Sequence, residues 1–210
     1  MPTQTTVPPD PLRLYLIRHG ETEWSRTGRH TGRTDIALTA HGEEQARALV
    51  PALAAIRFAH VFTSPLRRAR QTCALAGLGA TAEIAPELAE WDYGDYEGRT
   101  STEIRLTRPG WTVYRDGCPG GEDPSDVSDR ADRLIARLQD MSGNIALFTH
   151  GQFVCGFAVR WIGSPVSQGQ HFMSGTASLS VLGYNPSHPD IRVIVQWNTC
   201  ASLHAAMIEH

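Results

Sequence analysis

Two histidines of this chain, His19 and His150, each stand at the end of a short apolar run and directly before a glycine. Arg18 precedes the first of them, and a third apolar run leads into Ser64-Pro65-Leu66-Arg67. An acidic, aromatic stretch, ELAEWDYGDYEG, supplies the carboxylates Glu87, Glu90, Asp92, Asp95 and Glu97. Together these residue types suit a phosphoryl group. Arginine forks match phosphate oxygens two at a time and stay charged throughout a transfer. A neutral imidazole can attack phosphorus and form a covalent phosphohistidine. A carboxylic acid can protonate the leaving oxygen and then act as base on water. A second, cationic histidine adds charge where the equatorial oxygens sit. The glycines after the histidines, Gly20 and Gly151, permit close backbone approach.

For these groups to meet, the apolar runs must be neighbouring strands. The run 12–17 (LRLYLI) reads as a first strand, 60–63 (HVFT) as a second and 81–85 as a third. A buried strand follows at 144–149 (NIALFT), and late strands at 179–184 and 191–196. Helices fall between them. Thr39 is an N-cap for a helix whose Ala46, Leu49, Val50, Leu53 and Ile56 share one face. Ser64-Pro65 reads as the cap and first residue of a helix ending near Gly77. Asp123-Pro124 opens another, with Val127, Ala131, Leu134, Ile135 and Leu138 inward, and a further helix runs from His150 through Trp161. This alternation predicts an α/β fold, a three-layer sandwich with a mainly parallel central sheet. In such sheets ligands bind beyond the carboxyl ends of the strands.

The stretch 20–35 lacks periodicity and reads as a long ordered loop, a kind that is usually functional. Residues 86–122 read as a lid excursion over one face, with a short helix near 100–107. The Pro-rich 1–11 reads as a flexible leader, 12–200 as a single domain and 201–210 as a tail.

Composition removes several function classes. The chain has 210 residues and a net charge of -3, so no global field favours nucleic acid or an anionic membrane. All 19 basic residues are arginine, which excludes a Walker-type phosphate loop and lysine Schiff-base chemistry. Cys73, Cys118, Cys155 and Cys200 show neither redox nor zinc spacing and read as reduced thiols of a cytoplasmic protein. No apolar run is long enough to span a membrane, and the leader lacks the pattern of a signal peptide. His30, His41, His60, His171, His188, His204 and His210 show no metal spacing and read as surface or loop residues. The expectation is an enzyme with no metal and no other cofactor.

The runs LIRHGETEWSRTGRHTGRTDIALTAHGEEQA, SPLRRARQT, ELAEWDYGDYEG and FTHG, in that order, resemble the histidine phosphatase superfamily, with its phosphoglycerate mutase-like fold. The resemblance covers roughly 12–200, and EWDYGDYEG with YRDGCPGGE is similar to a branch of acid phosphatases and sedoheptulose-bisphosphatase-like enzymes. It implies His19 as nucleophile, Arg18, Arg67 and His150 as the phosphate pocket, and Glu90 as general acid and base. Ser25 falls where mutases of the family usually have Asn. Thr31-Gly32 falls where the family's loop touches phosphate or substrate, and Gly151 borders the same pocket. Many relatives continue His-Gly-His, whereas this chain reads His150-Gly151-Gln152.

Within the cluster Arg67-Arg68-Arg70, Arg68 and Arg70 read as a solvated helix face, and Arg67 as the pocket residue because it lies in the first turn. Trp91, Tyr93, Tyr96, Trp111 and Tyr114 fit equally a pocket wall and lid packing. The implied activity is hydrolysis of small phosphomonoesters. A phosphoglycerate mutase is the alternative, disfavoured because the interval from Trp91 to Thr149 contains no Lys. A binding module without catalysis would have lost His19 or Glu90, and both are present.

Overall fold

Side-chain alternation decides how the sheet is covered. In the computed structural model, which describes residues 11–200, strand β1 (Arg13–Arg18) sends Leu14 and Leu16 to one face and Tyr15 and Ile17 to the other. Strand β4 (Asn144–Thr149) does the same with Ile145 and Leu147 against Ala146 and Phe148. A strand buried on both faces needs helices on both sides. The rest of the expected leader and tail, with His204 and His210, lies outside the described residues.

The helices follow in chain order: α1 (Glu23–Thr27), α2 (Ala40–Arg47), α3 (Val50–Ala54), α4 (Arg67–Leu75), α5 (Ser101–Thr107), α6 (Val113–Asp116), α7 (Pro124–Gln139) and α8 (Gly151–Trp161). The other strands are β2 (Phe58–Thr63), β3 (Ala82–Ile84), β5 (Leu179–Asn185) and β6 (His188–Thr199). The six-stranded sheet has the order β3-β2-β4-β1-β5-β6. β3, β2, β4 and β1 run parallel, while β5 and β6 are antiparallel additions. The expected α/β sandwich with a mainly parallel sheet is therefore the fold of the molecule.

One face carries Leu49, Leu53, Cys73 and Ala76 from the segments of α2 to α4. The other carries Val127, Ala131, Leu134, Ile135 and Leu138 of α7 together with the apolar side of α8. The α7 stripe is the one its spacing predicts, and Asp123 starts it in a reciprocal cap with Asp126. Truncating Leu134, which is fully buried, to Ala would cost about 2–5 kcal/mol.

Three local readings are corrected. The helix after Thr39 is two helices: Thr39 caps α2, and Pro51 sits in the first turn of α3, where its missing N–H is not needed. Ser64 does not cap α4, which begins at Arg67 with the Asp35 carboxylate accepting the Arg67 N–H at 2.6 Å. The loop 20–35 contains the short helix α1, capped reciprocally by Thr22 and Ser25. In the excursion, Trp91, Tyr93, Tyr96, Trp111 and Tyr114 are all buried within the main core cluster.

Candidate active site

Register brings the site together. β1 and β4 pair in parallel as far as Arg18 opposite Thr149, and β2 pairs with β4 as far as Thr63 opposite Phe148. The residues that come next are therefore neighbours. The His19 N–H donates to the Thr149 carbonyl and the Ser64 N–H to the Phe148 carbonyl. The His19 and His150 rings lie 5.2 Å apart, centroid to centroid. A side chain on Gly20 would run into the Gly42 carbonyl, and one on Gly151 would meet the Arg18 guanidinium at 3.0 Å. Both glycines thus serve the close approach their placement implied.

His19 is 5% exposed, and its Nδ1 lies 2.7 Å from the Gly20 carbonyl oxygen. A carbonyl only accepts, so Nδ1 carries the proton and Nε2 keeps a free lone pair. Burial, then Arg68, then Arg18 hold this imidazole well below the ordinary histidine range. This environment favours the neutral imidazole.

The two neighbouring arginines exchange the places expected of them. Arg67 is exposed on α4, whereas Arg68 is fully buried. Arg68 donates Nε–H to His150 Nδ1 at 3.1 Å, and its terminal nitrogens to the carbonyls of Thr34, Thr31 and Gly32. The physical reason is helical phase. Arg68, Ala69, Thr72 and Cys73 share the inward side of α4, and Arg67 points the other way. That stripe was visible in the sequence and would have selected Arg68.

His150 accepts from Arg68 at Nδ1, so its proton is on Nε2 and is donated to Ser64 Oγ at 2.7 Å. Burial first, and then Arg68 and His19, push its pKa well below the ordinary value. The cationic second histidine expected from sequence is therefore a neutral one here. Arg68 and His150 are 0% exposed and do not line the cavity.

Arg18 reaches the cavity. One terminal nitrogen donates to the Ser174 carbonyl, while its Nε is buried with no hydrogen-bond partner among the described residues. Burial lowers the pKa of this guanidinium, with Glu90 opposing the shift.

Glu90 accepts from the Trp91 and Phe153 N–H groups on Oε1 and from the Gln152 N–H on Oε2. Its carboxyl is thereby held at the first turn of α8. Arg130 fixes the segment that carries it. This side chain donates to the Glu87 and Ala89 carbonyls at 2.8 and 2.7 Å and pairs with Glu122 at 2.8 Å. Sequence reading passed over Arg130, although it sits between Val127 and Leu134 on the flank of the α7 stripe.

The cavity in front of His19 has a volume of about 340 Å³. Ser25, Thr31 and Gly151 line it, as do Arg18, His19 and Glu90. Gly32 does not: its N–H is taken by the Glu97 carboxylate and its carbonyl by Arg68. Of the five excursion aromatics only Tyr93 reaches the cavity. His30, read as a surface residue, also lines it. Among the described residues no three His, Cys, Asp or Glu side chains group as metal ligands.

Fold and charge distribution together mark a class, an α/β protein equipped for phosphoryl transfer. Residues 14–198 match the model of the histidine phosphatase superfamily, branch 1, and the chain belongs to that superfamily. It is 44% identical over 176 residues to an acid phosphatase of Mycobacterium tuberculosis, covering 82% of this chain and 86% of that protein. It is 34% identical over 188 residues to a sedoheptulose 1,7-bisphosphatase of Saccharomyces cerevisiae, covering 74% and 69%. A solved structure of a Mycobacterium tuberculosis open reading frame superposes with a TM-score of 0.85 at 38% identity, covering 90% of this chain and 98% of that one. The chain is a phosphatase of this superfamily, a hydrolase of small phosphorylated substrates. Among the described residues no helix is long and apolar enough to cross a membrane.

Proposed function

We propose that the chain hydrolyses small phosphomonoesters through a phosphohistidine at His19, without a metal ion, as a cytoplasmic enzyme. The observation that carries this reading is the His19 Nδ1–H bond to the Gly20 carbonyl, which leaves Nε2 as the free nitrogen of a cavity-lining imidazole.

In the first step the Nε2 lone pair attacks phosphorus and the ester P–O bond breaks. Glu90, in its protonated form, gives its proton to the departing alcohol oxygen. Arg18, which lines the cavity, meets the phosphoryl oxygens with its guanidinium charge, and the charge of Arg68 acts on the imidazole from within the protein. In the second step water attacks phosphorus and passes a proton to the Glu90 carboxylate. The P–N bond breaks, phosphate leaves and His19 is restored. Thr31, Ser25 and Gly151 border the space for phosphate and leaving group. Gly32 holds Arg68 from behind through its carbonyl instead of touching substrate. His150 orients Arg68, and neither Arg67 nor any nucleic acid, membrane or protein partner enters the reaction.

A mutase must hold the phosphoryl group away from water and bind a second anion in its acceptor. Apart from Arg18, the arginine lining this cavity is Arg29, which is exposed and donates to the Gly98 carbonyl at 2.8 Å. This wall favours loss of phosphate to water. The test is a panel of sugar phosphates, glycolytic acids, nucleotides and phosphoamino acids assayed for released phosphate in excess chelator. Phosphate release from several small esters supports the reading. A requirement for added magnesium or zinc refutes it.

A further inference from the structure

The cavity wall also carries a polar pair that the hydrolytic steps do not use. His30 Nε2 and Ser101 Oγ lie 3.1 Å apart, and both residues line the cavity. The imidazole is held between two aromatic rings, Tyr93 at 4.5 Å with a small tilt and Trp111 edge-on at 5.3 Å. Its backbone is pinned as well: the His30 N–H donates to the Arg99 carbonyl, and its own carbonyl accepts from the Gly98 N–H. A rigid, aromatic-flanked polar pair inside a substrate cavity is a recognition element in form.

Its hydrogen-bonding logic narrows the ligand. If Nε2 carries the proton, it donates to Ser101, which then offers its O–H while Nδ1 offers a lone pair. If Nδ1 carries the proton, Ser101 donates to Nε2, and the pair offers an N–H and a hydroxyl lone pair. Either way the pair presents one donor and one acceptor. A hydroxyl group has the same duality, and a polyol carries several. Burial, reinforced by Arg105, pushes the His30 pKa down to about 4, so near neutrality the pair has no charge to offer a carboxylate or a second phosphate. The ring of Tyr93, also on the wall, gives the apolar C–H face of such a chain something to lie against.

We propose that His30, paired with Ser101, is the specificity-determining residue of this site, and that it selects phosphomonoesters of polyhydroxylated alcohols by bonding a hydroxyl of the leaving group. This rests on the hydrolytic reading above.

The experiment compares sorbitol 6-phosphate with n-hexyl phosphate, equal in chain length but differing in hydroxyls, and uses p-nitrophenyl phosphate as a reference ester. The wild-type chain, His30→Phe and Ser101→Ala are each assayed for kcat and KM. Wild-type kcat/KM should favour the hexitol ester over the alkyl ester by about tenfold or more, the worth of one good hydrogen bond. Both variants should keep p-nitrophenyl phosphate turnover within about twofold of wild type, which also shows that they fold. Both should lose the hexitol preference, mainly through KM. An unchanged hexitol-to-alkyl ratio in a variant that still cleaves the aryl ester overturns the proposal. So does a wild-type preference for a sugar bisphosphate over its monophosphate that is abolished by Arg29→Ala, because selection would then be for a second anion. Failure of the hydrolytic reading looks different: no ester of the three would yield phosphate.

Discussion

Arg68 donates its Nε–H to Nδ1 of His150 across 3.1 Å, and neither residue has any exposed surface. A buried guanidinium is tolerated only when it is well bonded, and here three backbone carbonyls complete its set. Its removal strips a charge that acts on His19 and leaves the His150 Nδ1 without a donor. Arg68→Met, which keeps much of the volume, should lower kcat by about 10²–10³-fold. Arg67→Ala, at an exposed position, should stay within about twofold of wild type on the same substrates. Steady-state kinetics on the pair decides the point, and equal losses would return Arg67 to the site.

Glu90 is held by three backbone N–H groups and so has a fixed aim. Proton donation matters most when the leaving alkoxide is poor. Glu90→Gln should therefore reduce turnover of alkyl and sugar phosphates by about 10²–10⁴-fold while sparing an activated aryl phosphate. Equal losses on both would make Glu90 a positioning group only.

Three histidines have lowered pKa values: His19 and His150, which are buried, and His30, which is half-buried. Below the ordinary value of 6.5 the unfolded chain takes up protons that the native state refuses. Stability therefore rises with pH up to about 6.5 and is lost as pH falls towards the native values, by at most about 1.4 kcal/mol per pH unit for each group. Urea melts between pH 4.5 and 7 measure this slope. His30→Phe should remove one group's share of it, because His30 titrates near 4 in the native state. Turnover of an aryl phosphate should show no acid limb near 6.5, since His19 is still neutral there. A limb at 6.5 would mean that the nucleophile is solvated.

If the wall lacks a second anion site, net hydrolysis outruns isomerisation. Phosphorus NMR of 3-phosphoglycerate with added 2,3-bisphosphoglycerate should show inorganic phosphate accumulating and negligible 2-phosphoglycerate. Isomerisation faster than phosphate release would make the chain a mutase.

The three strand ends of the site were legible because their apolar runs stop at Arg18-His19, at Ser64-Pro65 and at His150. The α7 start was legible for a similar local reason, a capping residue, Asp123, followed directly by Pro124. The misplacement of Arg67 and Arg68 came from taking Pro65 as the first helical residue. Asp35, 32 residues away, caps the helix two residues later, and a two-residue slip turns a helix by more than half a circle. The spacing of Ala69, Thr72 and Cys73 carries the correct phase and puts Arg68 on the inward side. His30 reads from sequence as a surface or loop residue because nothing local ties it to the site. Its partners Tyr93, Ser101 and Trp111 lie some 60 to 80 residues further along the chain, and only closure of the excursion brings them to it.

The central claim is that phosphate passes through a covalent bond to His19. The direct measurement is rapid alkaline quench of the enzyme during turnover of a phosphomonoester, followed by peptide mapping by mass spectrometry. The account predicts a phosphoryl group on the peptide containing His19, stable in alkali and lost in acid, as an N–P bond is. It also predicts no such species in His19→Ala, whose turnover should fall by several orders of magnitude while the protein stays folded. A phosphoryl group on another residue, one stable in acid and lost in alkali, or near-normal turnover of His19→Ala would contradict it.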